Sequence, residues 1–306
     1  MSSHCVVVKK SARLDKALPM LLPSLSRSAA QRLIEAGGVR VNGAPRDAAD
    51  VVAPGDVLDV DVPEPTSAVP QAEALPITVL YEDDDVIAID KPAGLVVHPG
   101  AGNAGGTLVN ALLHHAPDIA EVGDEGRPGI VHRLDKETSG VMLAAKTPHA
   151  HRALQEQFRL RQIRKTYLAL CIGDVQPGRG VIDKPIARDP SHRQRMAIVP
   201  GGREAVTEFV VTERLRIEGR PYSLVRAHPR TGRTHQIRVH LSSIGFPIVG
   251  DLLYGAGRDP LSKRIAPRHL LHASEIRFHL PSDGREMALY APLPEDMRGE
   301  GRGVRE

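Results

Sequence analysis

At 306 residues the chain exceeds the size usual for one small core, so two units or one large α/β domain are expected. No stretch approaches the roughly 18 uninterrupted apolar residues of a membrane span, and Met1 to Lys10 lacks the apolar core of a secretory signal. Cys5 and Cys171 fit neither a disulfide framework nor a metal-ligand spacing, so a soluble, unexported protein of the reducing cytoplasm is expected; the net charge of +3 does not by itself indicate nucleic acid.

Charge distribution says more. From Met1 to Arg46 eight basic residues, among them Arg27, Arg32 and Arg40, face only Asp15 and Glu35. Such a local excess is a footprint for phosphate, the bland alternative being a solvated helix face. Leu14, Leu18 and Leu21 have the spacing of a first helix, and Ser26 is placed to cap a second one through Ala29, Leu33 and Ile34 that stops at Gly37-Gly38. Val39 and Val41 lead into Asn42-Gly43, a hairpin signal, and Leu58, Val60 and Val62 alternate with Asp59 and Asp61 as a half-buried strand. Residues 1–62 therefore read as a small α+β unit, and the proline-rich residues 63–76 as a linker.

The rest, residues 77–297 before a short tail at 298–306, mixes strands with sparse helices. Strands are predicted at Val86 to Asp90, Val141 to Lys146, Thr166 to Ile172, Ala205 to Val211 and Tyr222 to Ala227. Helices are predicted near Thr107 to His115 and His149 to Arg161, and through Ile237, Leu241 and Ile244. This is the pattern of an α+β domain with a mixed or antiparallel sheet, not a regular βαβ array.

Two resemblances follow from motifs. Arg13-Leu-Asp-Lys-Ala-Leu, Leu25-Ser-Arg-Ser, Gln31-Arg-Leu-Ile, Val39-Arg-Val-Asn-Gly and Pro54-Gly-Asp resemble the RNA-binding domain named after small-ribosomal-subunit protein four. In that domain paired helices present basic residues to structured RNA, a role that Arg27, Arg32 and Arg40 match in type. His132-Arg133-Leu134-Asp135 followed by Thr138-Ser139-Gly140 resembles the signature of the ribosomal large-subunit pseudouridine synthases, the RluA/RluD family. Asp90-Lys-Pro-Ala-Gly-Leu, Arg164-Lys-Thr-Tyr, Thr231-Gly-Arg-Thr-His-Gln-Ile-Arg-Val-His, Gly245-Phe-Pro-Ile-Val-Gly-Asp and Leu270-Leu-His-Ala agree with that family in order.

The resemblance implies cofactor-independent, metal-free isomerisation of a uridine flipped out of RNA, with large-subunit ribosomal RNA, met in a pre-ribosomal particle, as the favoured substrate and transfer RNA as an alternative. It assigns Asp135 as the catalytic carboxylate, suited to act as nucleophile or to stabilise positive charge at the anomeric carbon. It assigns Arg238 as the ion-pair partner and Tyr167 as a stacking face for uracil and a possible base. Arg133 is implied in entering the RNA stack, and His132, Arg233 and His235 in further RNA contacts. Read without the resemblance, Asp135 is by default a turn residue and Arg238 an exposed helical arginine, and Tyr167 is as well explained as a packed strand tyrosine. A noncatalytic RNA-binding or ribosome-assembly protein remains the alternative of a different class.

Gly100-Ala-Gly-Asn-Ala-Gly105 fits the string of a dinucleotide-binding loop, but no strand ending in an acidic residue follows about 20 positions later. His114-His115, His235 and His240 match no compact zinc signature.

Overall fold

A computed structural model describes residues 2–298 except 24, 26, 63–68, 101–102 and 193. The chain divides into two compact units, Met1–Ser67 and Ala68–Glu306.

The first unit contains β1 (Ser2–Val7), β2 (Ala12–Arg13), α1 (Leu14–Leu21), α2 (Arg27–Glu35), β3 (Val39–Val41), β4 (Ala44–Pro45), β5 (Val51–Val52) and β6 (Val57–Val62). Its four-stranded sheet has the order β1-β6-β3-β4, all antiparallel. Leu14 and Leu18 are fully buried against Leu58 and Val60, so one stripe of α1 and one face of β6 close the same core. Asn42 and Gly43 take φ of 50° and 80°, the left-handed pair that a two-residue hairpin requires. Asp15, buried beneath the helices, accepts from Arg13, from Arg27 at 2.7 Å and from Gln31, which ties α1 to α2. Those arginines hold its carboxyl at about 2. β1 is an addition to the sequence reading: it is an edge strand with Cys5 and Val7 exposed, and so has little apolar alternation to detect. The expected cap at Ser26 lies outside the described residues.

In the second unit the elements are β7 (Thr78–Glu82), β8 (Val86–Lys91), α3 (Leu108–His115), β9 (Ser139–Ala145), α4 (Pro148–Arg159), β10 (Arg164–Ile172), β11 (Arg179–Asp183), β12 (Ile186–Arg188), β13 (Met196–Ile198), β14 (Val206–Ile217), β15 (Arg220–Pro229), α5 (Gln236–Ser243), α6 (Pro260–Ile265), β16 (Leu271–His279), β17 (Glu286–Tyr290) and α7 (Glu295–Arg298). A nine-stranded sheet runs β11-β14-β15-β10-β16-β9-β8-β7, with β17 beside the outer half of β16. All its pairings are antiparallel except β9 with β16. The apolar run of β9 is buried throughout, as expected of a strand covered on both faces.

β9 and β16 approach so closely at Gly140 that a Cβ there would lie 2.2 Å from the Ala273 carbonyl oxygen, and Gly140 has φ of 112°. Only glycine fits this junction. The central strand β16 is the largest element that periodicity does not reveal; its sequence mixes His272, Ser274, Glu275 and Arg277 with apolar residues because it changes neighbours midway. The hairpin of β14 and β15 extends well beyond the predicted strands. Its distal part alternates Glu213, Arg214 and Arg216 with Leu215 and Ile217, and the turn at Glu218-Gly219 again has positive φ.

The glycine-rich stretch is only partly described. Gly100 and Asn103 exchange backbone hydrogen bonds, and the Gly106 amide donates to the Glu73 carboxylate. The Thr107–Asn110 capping box then starts α3. An internal carboxylate thus occupies the amide that a phosphate would need. Gln71 and Glu73, from the second half of the predicted linker, bond to Asn110 of α3.

Candidate active site

The carboxyl end of the loop before β9 is braced from two sides. Lys91, fully buried at the end of β8, donates to the carbonyls of Pro92, Leu95 and Lys136. Burial pushes its ammonium down to about 8. From the opposite side Arg268 donates to the Glu137 carbonyl and pairs with Asp296, while His269 Nε2 meets the Thr138 hydroxyl at 2.8 Å. Thr138 N–H closes the turn onto the Asp135 carbonyl. Asp135 therefore stands on a turn whose backbone is held from both sides.

A second segment, Thr231 to Ser243, supplies the partner. Gln236 accepts from Thr231 Oγ1 and Arg233 N–H and donates to the Val206 carbonyl. His240 contacts Thr207 and the Lys184 carbonyl, which pins α5 to the sheet. Between these two structural residues, Arg238 points at the loop of Asp135. Its Nη1 donates to Asp135 Oδ2 at 2.9 Å, whereas Nε and Nη2 donate to Asp251 Oδ2 and Oδ1 at 2.7 and 3.0 Å. One guanidinium is thereby forked between two carboxylates, and the bidentate contact with buried Asp251 fixes the direction of the third nitrogen.

Burial alone would raise the Asp135 carboxyl; the charges of His235 and Arg238 and the Arg238 hydrogen bond outweigh it and leave it below 3.8. Burial in turn lowers His235, so near neutrality Arg238 is the cation that keeps Asp135 ionised. Burial, and secondarily the Asp135 charge, push the Tyr167 phenol well up. Tyr167 thus keeps its proton at neutral pH, which suits a stacking face better than a general base.

These groups line a cleft of about 710 Å³ that contains Asp135, Tyr167, Arg238, His235, Arg233, Arg133 and His132. Arg133 is exposed at its wall, with no ion-pair partner among the described residues. Arg233 lies half-buried and donates to the Glu204 carbonyl. His132 is differently committed: its Nε2 accepts the Leu143 N–H and its ring packs 4.9 Å from Phe158, so it braces the loop from within. In the first unit Arg32 and Arg40 are exposed, whereas Arg27 is tied to Asp15.

A scan against protein-family models matches residues 85–243 to RNA pseudouridylate synthase and residues 12–58 to the S4 domain. The chain belongs to the RNA pseudouridylate synthase family. It is 44% identical over 298 residues to ribosomal large subunit pseudouridine synthase D of Nitrosomonas europaea, covering 96% of this chain and 84% of that one. It is 43% identical to the protein of the same name in Pseudomonas aeruginosa, covering 93% and 89%. Among solved structures, human RNA pseudouridylate synthase domain containing 1 matches with a TM-score of 0.58 and 29% identity, over 72% of this chain and 85% of that one.

For this member of the family, sequence reasoning gave no role to Asp251 or Tyr254, and Lys165 only as one of the basic residues from Arg152 to Lys165 that could track RNA backbone. Asp251 closes the Gly245-Phe-Pro-Ile-Val-Gly-Asp motif, which was the signal available; Tyr254 follows three residues later with its ring 5.0 Å from the Arg238 guanidinium. Lys165 lies on the cleft wall 5.6 Å from the Phe158 ring centroid, with no carboxylate partner among the described residues. Burial pushes it down to about 8. Among the described residues no cluster of three or more His, Cys, Asp or Glu is arranged for a metal, and no helix is long and apolar enough to cross a membrane.

Proposed function

We propose that this pseudouridine synthase isomerises uridine in large-subunit ribosomal RNA in the cytoplasm, with Asp135 as the catalytic carboxylate. The observation that carries the site assignment is the fork of Arg238 between Asp135 and Asp251. It holds one oxygen of Asp135, Oδ2, and makes no contact with the other, Oδ1. In the reaction the N1–C1′ bond breaks, C1′ bonds to C5, the proton at C5 is lost and N1 takes one up. An ionised carboxylate next to C1′ stabilises the positive charge that develops there, or attacks it. Tyr167 offers its ring to the displaced uracil, and Arg133 fills the stack that the uridine leaves. Lys165 and Arg233 face the phosphodiester around the flipped nucleotide.

The choice of large-subunit ribosomal RNA rests on the named relatives and on the basic first unit, in which exposed Arg32 and Arg40 suit structured RNA. Tritium release from RNA labelled at C5 of uridine tests the whole reading, because rejoining through C5 must expel the label. Release from ribosomal RNA by the wild type and none by Asp135→Asn is expected. Release by a verified Asp135→Asn preparation would remove Asp135 from the chemistry, and release from transfer RNA alone would overturn the substrate.

A further inference from the structure

The second oxygen of Asp135 is not left to chance. His235 Nε2 lies 3.9 Å from Asp135 Oδ1, whereas Arg238 contacts the other oxygen, Oδ2. His235 is the residue before α5 and has φ of 57°, in the left-handed region that non-glycine residues rarely occupy. Strain of this kind, typically about 1–3 kcal/mol, persists where the surroundings force it. Here it aims the ring into the cleft.

The other ring nitrogen, Nδ1, lies 2.8 Å from the Tyr254 hydroxyl. That hydroxyl already accepts the Met196 N–H at 2.8 Å, and no other acceptor for its proton is found among the described residues. By counting protons, Tyr254 donates O–H to Nδ1. Nδ1 is then the acceptor, and the ring proton must sit on Nε2, which faces Asp135. Tyr254 is in turn held by α5 itself, through Ser242 Oγ donating to its carbonyl at 2.6 Å. The helix thus holds two members of the relay, His235 at its N-terminus and Tyr254 through Ser242, while the Met196 N–H comes from β13.

We infer that His235 is a positioning residue whose Nε2–H holds Oδ1 of Asp135 when nucleotide fills the cleft, and that Tyr254 sets the tautomer that makes this possible. The inference rests on the reading of Asp135 as the catalytic carboxylate. It assigns His235 toward Asp135 rather than toward RNA, and it gives Tyr254 a role beyond packing on Arg238. The 3.9 Å separation shortens to a hydrogen bond with a shift of about 1 Å, as active-site contacts commonly do on substrate binding. Charged groups around the ring are Asp135 and Arg133 from the loop before β9, Arg238 from α5, Asp251 from the segment after it, and Arg195, whose guanidinium lies 5.5 Å from the Tyr254 ring centroid.

Two measurements test this, and the first needs no RNA. Long-range nitrogen–proton spectra of ring-labelled protein, with the His235 signals identified by their loss in His235→Gln, report the tautomer. The expected result is a protonated Nε2 in the wild type and a mixture of tautomers in Tyr254→Phe. A proton on Nδ1 in the wild type overturns the inference. The second is single-turnover tritium release. Glutamine places an amide nitrogen near the position of Nε2 and has no tautomers, so His235→Gln should retain most of the rate that His235→Leu loses. Tyr254→Phe should slow the wild-type background at least tenfold in kcat with KM little changed, yet change the His235→Gln background less than twofold. An equal loss in both backgrounds would mean that Tyr254 acts by packing alone. Failure of the wild type to release tritium would instead strike the parent reading and leave the tautomer result standing.

Discussion

Asp251→Asn isolates what the fork at Arg238 contributes. Asp251 is 1% exposed and accepts from Nε and Nη2 of Arg238 at 2.7 and 3.0 Å. Asparagine has nearly the same shape, but one of its two polar atoms becomes an NH₂ group facing an arginine N–H. One charge-assisted hydrogen bond is lost, worth about 1.5–3 kcal/mol. Arg238 keeps its contact with Asp135 but loses the anchor that aims it. If that loss falls on the transition state, kcat drops roughly 10- to 150-fold, since about 1.4 kcal/mol is tenfold in rate. Single-turnover tritium release measures the chemical step, filter binding to unmodified RNA measures affinity, and urea unfolding followed by circular dichroism measures stability. The expected pattern is slower chemistry, a lower unfolding midpoint and unchanged RNA affinity. Wild-type turnover together with wild-type stability would refute the argument that Asp251 sets the direction of Arg238.

Lys165→Gln removes a cation without a carboxylate partner and should weaken RNA binding, lowering the slope of log affinity against log salt by about 1, as read by filter binding over a salt series. Changing both Arg32 and Arg40 to Gln should lower affinity for structured ribosomal RNA and its salt dependence, with single-turnover rate at saturating RNA unchanged. Gly140→Ala should destabilise the second unit by about 2–6 kcal/mol, strain and overpacking together, and an unfolding midpoint equal to wild type would contradict the close approach of β9 and β16. The carboxyl of Asp135 is depressed below 3.8, so its ionised form favours the folded state above the unfolded value and that contribution is lost only as pH falls through the lower folded value. The rate should therefore show no Asp135 limb at pH 5, whereas in Arg238→Met, where burial is no longer offset by Arg238, the acid limb should move upward.

Local physics made part of this fold readable. The Leu14–Leu18 stripe, the Asn42-Gly43 turn and the alternation of β6 are short-range signals, and each names an element that the structure contains. β16 was not readable in this way, because its two halves meet different neighbours and its residues satisfy no single period. The elements at the periphery, β11 to β13, are only five, three and three residues long, too short for an alternation that would distinguish them from loop. Motif resemblance located Asp135, Tyr167 and Arg238, which the structure brings into one cleft. It gave no indication that His132 turns inward to Leu143 N–H or that Arg27, still exposed, pairs with Asp15, since hydrogen-bond partners of that kind are fixed only by tertiary packing.

The distribution of site residues along the chain follows from what a lone carboxylate needs. Asp135 sits on a loop, the kind of element that moves most readily, and its direction must come from elements that do not. Lys91 from β8 and Arg268 from the segment before β16 therefore seize the backbone of its turn, leaving the side chain to Arg238 and His235. Arg238 would itself be one mobile arginine if it met only Asp135. Its second carboxylate, Asp251, comes after the helix that carries it, and Gly250 is what lets that segment pass: a Cβ there would fall 1.8 Å from the Arg268 carbonyl oxygen. The same Arg268 braces the Asp135 loop, so the anchor of the cation and the brace of the carboxylate meet at one point of the backbone. A substitution at Gly250 should consequently disturb both halves of the ion pair at once, whereas Asp251→Asn disturbs only the cation. Comparing the two variants by stability and single-turnover rate separates the platform from the charge it carries.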